Sequence, residues 1–245
     1  MHCTRKHGYN ASMSSIAPIE QDPLELRIER SNRKTIELRF LDANTLLIKT
    51  PMRTSQARIN EVLQLKAAWI SKTRKLKAEV WPVPKMVDRE PILFLGEWHR
   101  LQIINTNGKK PDTQTPGIIK ISPALAAKGT ATLIQLYRDT MRELSHHYAD
   151  IYAKRWNLSH NGIRISGART RWGSCGPNNS LNFSWRLAMA PLLSIENVVA
   201  HELAHTVYRN HRAEFWKLLK KMMPRYEEGQ AWLKQNAHRL PVFPD

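Results

Sequence analysis

The stretch Val198-Val199-Ala200-His201-Glu202-Leu203-Ala204-His205-Thr206-Val207-Tyr208-Arg209-Asn210-His211 contains H-E-x-x-H and, six residues on, a third histidine. On a helix, side chains four apart lie one turn above each other, so the imidazoles of His201 and His205 can reach one ion while Glu202 sits beside the water it binds. Zinc in a hydrolase takes three protein ligands and keeps the fourth position for that water. A shuffled chain of this composition would hold about 0.02 such motifs, so chance is a weak rival. Ile195, Val198, Val199, Leu203, Thr206 and Val207 recur at helical spacing away from the histidines, with Ser194 as the expected N-cap and Glu196 in the first turn. The reading is a helix with one buried stripe and one chemically loaded stripe.

The third ligand is expected to be His211, whose spacing matches H-E-x-x-H-x-x-G-x-x-H although Tyr208 stands where that pattern has glycine. The chain must then turn without glycine, and Asn210 in a left-handed conformation is the expected hinge. Glu214 is the alternative ligand, or else the acceptor that orients a ligating imidazole. The outcome is a single zinc ion per chain.

Outward from this helix, Thr132 to Trp156 carries Leu133, Leu136, Tyr137, Met141, Leu144, Tyr148, Ile151 and Tyr152 at the spacing of a long amphipathic helix. His146 and His147 on it point about 100° apart and suit a solvated role better than a shared metal. Ile163 to Ser174 and Ser180 to Leu187 read as a hairpin across Gly176-Pro177-Asn178-Asn179. Its second arm puts Asn182 and Arg186 on the polar face, which makes them candidate substrate contacts beside Arg171 and Tyr208. A strand next to a metal helix can take up an extended peptide as a further strand. Beyond His211 two helical stretches carry Phe215, Trp216, Leu219, Met222 and then Tyr226, Trp232, Leu233 as packing behind the site.

The amino-terminal half is simpler. Alternation predicts strands at 24–29, 36–40 and 45–50, one long helix from Thr54 or Ser55 to about Lys77, and short strands at 92–95, 98–104 and 117–121. The fold class is α+β, a small antiparallel sheet with a long helix followed by a minimal zincin core of long helix, β-hairpin, HExxH helix and carboxy-terminal helices. Expected boundaries are a disordered tail at 1–22, an α+β region at 23–121 and the metallopeptidase core at 122–245.

The 245 residues hold 38 Lys and Arg against 21 Asp and Glu, a net charge of +17, which admits nucleic acid or nucleotides as partners without requiring them. Two cysteines, Cys3 and Cys175, give no disulfide framework, and Cys175 reads as a small packing residue. No signal peptide or membrane span is expected, which points to the cytoplasm.

Thr170-Arg171-Trp172-Gly173-Ser174-Cys175, Leu181-Asn182, His201-Glu202-Leu203-Ala204-His205 and Asn210-His211 with Phe215-Trp216 together resemble the YgjP-like family of predicted zinc metallopeptidases. The resemblance covers most of residues 24–235. It implies a zincin-type core related to SprT-like and WLM proteases, with His201, His205 and His211 as ligands and Glu202 as base. The expected function is a zinc-dependent peptidase acting on protein or peptide, in which Glu202 activates the attacking water and Tyr208 or an arginine steadies the oxyanion. The alternatives are a metal-dependent phosphohydrolase acting on nucleotides and a non-enzymatic, DNA-associated basic module with structural zinc.

Overall fold

A computed structural model describes residues 23–105 and 108–243. The expected tail at 1–22 lies outside the described residues. The chain divides into two compact units, one ending at Glu79 and one beginning at Val80.

In the first unit, β1 (Glu25–Ser31), β2 (Glu37–Phe40) and β3 (Thr45–Pro51) form a sheet in the order β1-β3-β2. The expected antiparallel sheet is in fact mixed, because β1 runs parallel to β3 and only β2 is antiparallel to it. The most apolar strand, with Leu46, Leu47 and Ile48 buried, takes the central position where both edges are paired. Leu26 and Ile28 share a face with Leu46 and Ile48 but stay exposed on the edge strand. The expected long helix is two: α1 (Gln56–Leu65), capped by the Ser55 hydroxyl, and α2 (Ala67–Ala78), broken at Lys66. The break lets Ile59 and Leu63 from one helix and Ile70 from the other reach the same small core with Phe40, Leu46 and Ile48.

The second unit holds β4 (Pro91–Phe94), β5 (Glu97–Ile103) and β6 (Ile118–Ile121), then α3 (Pro123–Ala126) and α4 (Thr130–Trp156). Sequence alone groups residues up to 121 with the amino-terminal sheet. Yet Ile92, Phe94, Leu101, Ile119 and Ile121 share one core with Tyr137 and Met141 of α4 and with the H-E-x-x-H helix, so side-chain packing joins these strands to the carboxy-terminal part of the chain. Leu95 and Gly96, both with positive φ, make the two-residue β4–β5 turn. A Cβ at Gly96 would come within 2.6 Å of Pro191, the N-cap of the H-E-x-x-H helix.

The expected hairpin becomes three strands, β7 (Ile163–Ser166), β8 (Gly173–Cys175) and β9 (Leu181–Ser184), ordered β7-β9-β8. β8 and β9 are the antiparallel pair, while β7 lies parallel on the other side of β9. The chain then leaves the sheet in a 3-10 helix at Trp185–Met189 and enters α5 (Leu192–Ala204), followed by α6 (Ala213–Met222) and α7 (Tyr226–Asn236). Pro191, not the expected Ser194, is the N-cap of α5; Ser194 is buried inside the helix and donates to the Gly229 carbonyl at 3.0 Å. There α7 presses on α5 closely enough that a Cβ on Gly229 would sit 2.6 Å from the Leu193 carbonyl oxygen and 2.9 Å from Asn197 Cβ. Gly229→Ala is therefore expected to cost about 1–3 kcal/mol by overpacking. Denaturant midpoints at unchanged slope check it, and equal midpoints would mean that the two helices part freely. Among the described residues no helix is long and apolar enough to cross a membrane.

Candidate metal centre

Burial fixes which way α5 faces. Ile195, Val199, Ala200, Leu203 and Ala204 are wholly buried, leaving His201 half-buried on the opposite stripe. His205 caps the helix in a right-handed conformation, still one turn from His201. The chain continues through tight right-handed turns, with Thr206 N–H on Leu203 O at 3.0 Å and Val207 and Tyr208 N–H both on Ala204 O at 3.1 Å. Asn210 does not adopt the expected left-handed conformation, because these turns already reverse the chain. Its side-chain oxygen instead accepts from Arg212 N–H at 3.1 Å, fixing the approach to α6.

These turns bring three nitrogens together. Nε2 of His201 and His205 are 3.2 Å apart, His205 and His211 3.1 Å, and His211 and His201 3.0 Å. Two nitrogens each about 2.05 Å from one tetrahedral ion stand about 3.3 Å apart, so the triangle has the size of a zinc site. The donor chemistry agrees. A proton can lie between one pair of these nitrogens but not all three, whereas one cation satisfies every lone pair. His205 Nδ1 faces the Tyr208 carbonyl at 2.8 Å, which places that ring's proton on Nδ1 and leaves the Nε2 lone pair able to take a cation. Phe215, wholly buried, packs against all three rings at centroid distances of 4.9, 4.5 and 4.8 Å. Trp216 Nε1 donates to the His211 carbonyl at 2.9 Å. Burial and the adjacent rings of His205 and His211 push His201 down to about 4, and burial lowers His205 as well, so both are neutral and ready to ligate near pH 7.

Glu202 is 7% exposed and points to β8. Burial raises its carboxyl to about 7, against the Cys175 N–H and the charge of Arg171, which favour the ionised form. A Cβ on Gly173 would lie 2.6 Å from Glu202 Cγ and 2.8 Å from its Oε1, so the carboxylate occupies the space a side chain would take. In the β8–β9 ladder Trp172 O accepts from Ser184 N–H and Gly176 N–H donates to Ser180 O, so Gly173 and Cys175 turn their backbone groups away from β9. Arg209, between the second and third histidines, donates to Gly176 O at 2.7 Å and Pro177 O at 3.0 Å, and also reaches Asn179 Oδ1 and Cys175 Sγ. It ties the segment that carries His211 to the β8–β9 turn.

Of the other expected contacts, Arg171 is exposed within electrostatic reach of Glu202, and Tyr208 is 38% exposed beside His205. Asn182 is paired with Ser174 and Arg164 on the face opposite buried Leu181 and Phe183, and so faces away from α5. Arg186 is buried, donating to Gly167 O at 2.6 Å and covering the Trp185 ring, because the strand ends at Ser184 and the 3-10 helix turns it inward. Neither reaches the histidines as a substrate contact. Among the described residues Glu214 makes no hydrogen bond to the three imidazoles; it lies in the first turn of α6, where its charge suits the helix start. His146 and His147 are exposed, as expected. Sequence reading missed Gly173 and Arg209. A glycine inside a strand was the available signal for the first, and nothing marked the second.

Residues 34–236 match the family profile described as YgjP-like, metallopeptidase domain. No curated protein matches the chain. Among solved structures, the crystal structure of the metallopeptidase zymogen abylysin from Pyrococcus abyssi is similar over 42% of this chain and 99% of that chain, at 18% identity and a TM-score of 0.34.

Proposed function

The chain belongs to the YgjP-like metallopeptidase family, and from that premise we propose that it hydrolyses peptide bonds with zinc held by His201, His205 and His211 and with Glu202 as general base. The observation that carries the reading is the convergence of three Nε2 atoms within 3.2 Å with a buried carboxylate next to them. Held by these three histidines, a zinc ion would supply Lewis acidity that polarises the carbonyl and brings the pKa of a water down to about 7. Glu202 takes the proton of the attacking water and passes it to the departing amine. Its hold on Cys175 N–H keeps the carboxylate aimed, and Gly173 leaves room for it.

The outward backbone groups of Gly173 and the outward carbonyl of Cys175 support an extended peptide lying along β8 as an added strand. Tyr208 is the proposed oxyanion donor, with Arg171 as a contact to substrate carboxylate or carbonyl. A structural zinc takes four protein ligands, whereas this cluster offers three among the described residues, which supports a catalytic rather than a scaffolding ion.

The test is cleavage of a mixed peptide pool, read by mass spectrometry, by protein whose zinc content has been measured. Zinc-loaded protein is expected to cut, and chelated protein to stop and recover on adding zinc back. A loaded protein that cuts no peptide, or one that ignores chelation, overturns the reading.

A further inference from the structure

A groove of about 680 Å³ opens directly beside His201 and Glu202, between α5, α7 and the start of β8. The metal chemistry itself makes no use of it. Its apolar lining comes from the side chains of Val198 and Leu233, both buried, and from the half-buried indole of Trp172, while the buried Asn197 and the amide of Gln230 add polar groups. On its walls Ala231 and Ala237 stop at Cβ and leave the space open. Beside Glu202, the lining carries one further carboxylate, Glu227, and one ammonium, Lys234, so away from the reacting centre no single sign of charge dominates. A volume of this size exceeds any single residue and is open enough to admit one from solvent.

Resting on the peptidase reading, we propose that this groove is the specificity pocket, receiving a bulky apolar side chain, aliphatic or aromatic, from a substrate residue flanking the cleaved bond. Two features of position support it. The groove shares Gly173 and Glu202 with the reacting centre, so a peptide laid along β8 brings a side chain to its mouth without leaving the strand. Trp172, which lines the groove, is the residue before β8, so the element that aligns the backbone also shapes the pocket. Each apolar carbon transferred from water strengthens binding, and a pocket of this kind separates leucine or phenylalanine from alanine by roughly tenfold to a hundredfold.

The experiment varies the two residues flanking the scissile bond in fluorogenic peptides and compares wild type with Ala231→Phe and Ala237→Phe, both at exposed positions where the fold tolerates added volume. Wild type is expected to favour leucine or phenylalanine over alanine and glycine in kcat/KM by roughly tenfold or more at one flanking position. In at least one filled variant that ratio is expected to collapse toward one. A flat wild-type profile, a preference for charged residues, or filled variants that slow every peptide by one common factor would each overturn the pocket.

A second measurement separates this from failure of the peptidase reading. Zinc-free protein is titrated with N-acetylphenylalaninamide and N-acetylglycinamide and followed by Trp fluorescence and ligand-observed NMR. If no peptide is cut yet the aromatic amide alone binds and Ala231→Phe or Ala237→Phe abolishes it, the groove's selectivity stands while the chemistry assigned beside it falls. If neither amide is distinguished, the groove selects nothing and the proposal is wrong.

Discussion

Zinc-loaded Glu202→Gln protein is expected to keep its ion and lose about 10²–10⁴ of its turnover, the range that a positioned general base contributes. Glutamine preserves the volume and can still face β8, but it cannot accept a proton at the attacking water. The three imidazoles are untouched, since Glu202 is not among the converging nitrogens. Metal content and a circular dichroism spectrum equal to wild type, with kcat reduced and KM little changed, are therefore the expected set. Retention of full turnover with metal bound would remove Glu202 from the mechanism and leave Arg171 or Tyr208 to explain catalysis.

Gly173→Ala is expected to do nearly as much from a residue that carries no functional group. Its Cβ would stand 2.6 Å from Glu202 Cγ and 2.8 Å from Oε1, both well inside contact distance. Either the carboxylate swings off its line or β8 retreats, and each outcome spoils the alignment of base with substrate strand. A misplacement on the order of 1 Å costs about 10²-fold in rate. Zinc content should stay at wild-type level, because the atoms nearest the new methyl all belong to Glu202, which is not one of the three converging histidines. Combining it with Glu202→Gln should add little, since both changes remove one function. If Gly173→Ala alone cuts within about threefold of wild type, the close approach of β8 is tolerated and the carboxylate works from elsewhere.

α5 was legible because two periodicities coincide there, an apolar stripe that packs into the core and an H-E-x-x-H stripe that carries the chemistry. His211 was legible from spacing, but the route to it was not. Hydrogen bonds to Ala204 O, rather than a left-handed Asn210, make the turn. Strand pairing proved harder. Alternation says which face a residue takes but not which neighbour its strand finds, so the parallel partnerships of β1 and β7, each made across a distance in sequence, stayed hidden. Arg186 continues the alternation of β9 and looked solvent-facing for that reason. One change of backbone conformation after Ser184 buries it. Gly173 and Arg209 act through backbone proximity and carbonyl contacts, neither of which leaves a periodic trace.

Phe215 lies fully buried under all three imidazoles, so the rings are gathered by the same core that folds the unit. An ion binding there would find its ligands already in place and so favour the native state over an unfolded chain whose histidines are scattered, which makes its free energy a part of the folding equilibrium. By that linkage, each tenfold rise in free zinc above the dissociation constant deepens the native well by about 1.4 kcal/mol. With zinc in the proposed site, the resistance of this unit to unfolding is expected to follow the zinc supply, so that a chain starved of metal loses durability together with the proposed activity.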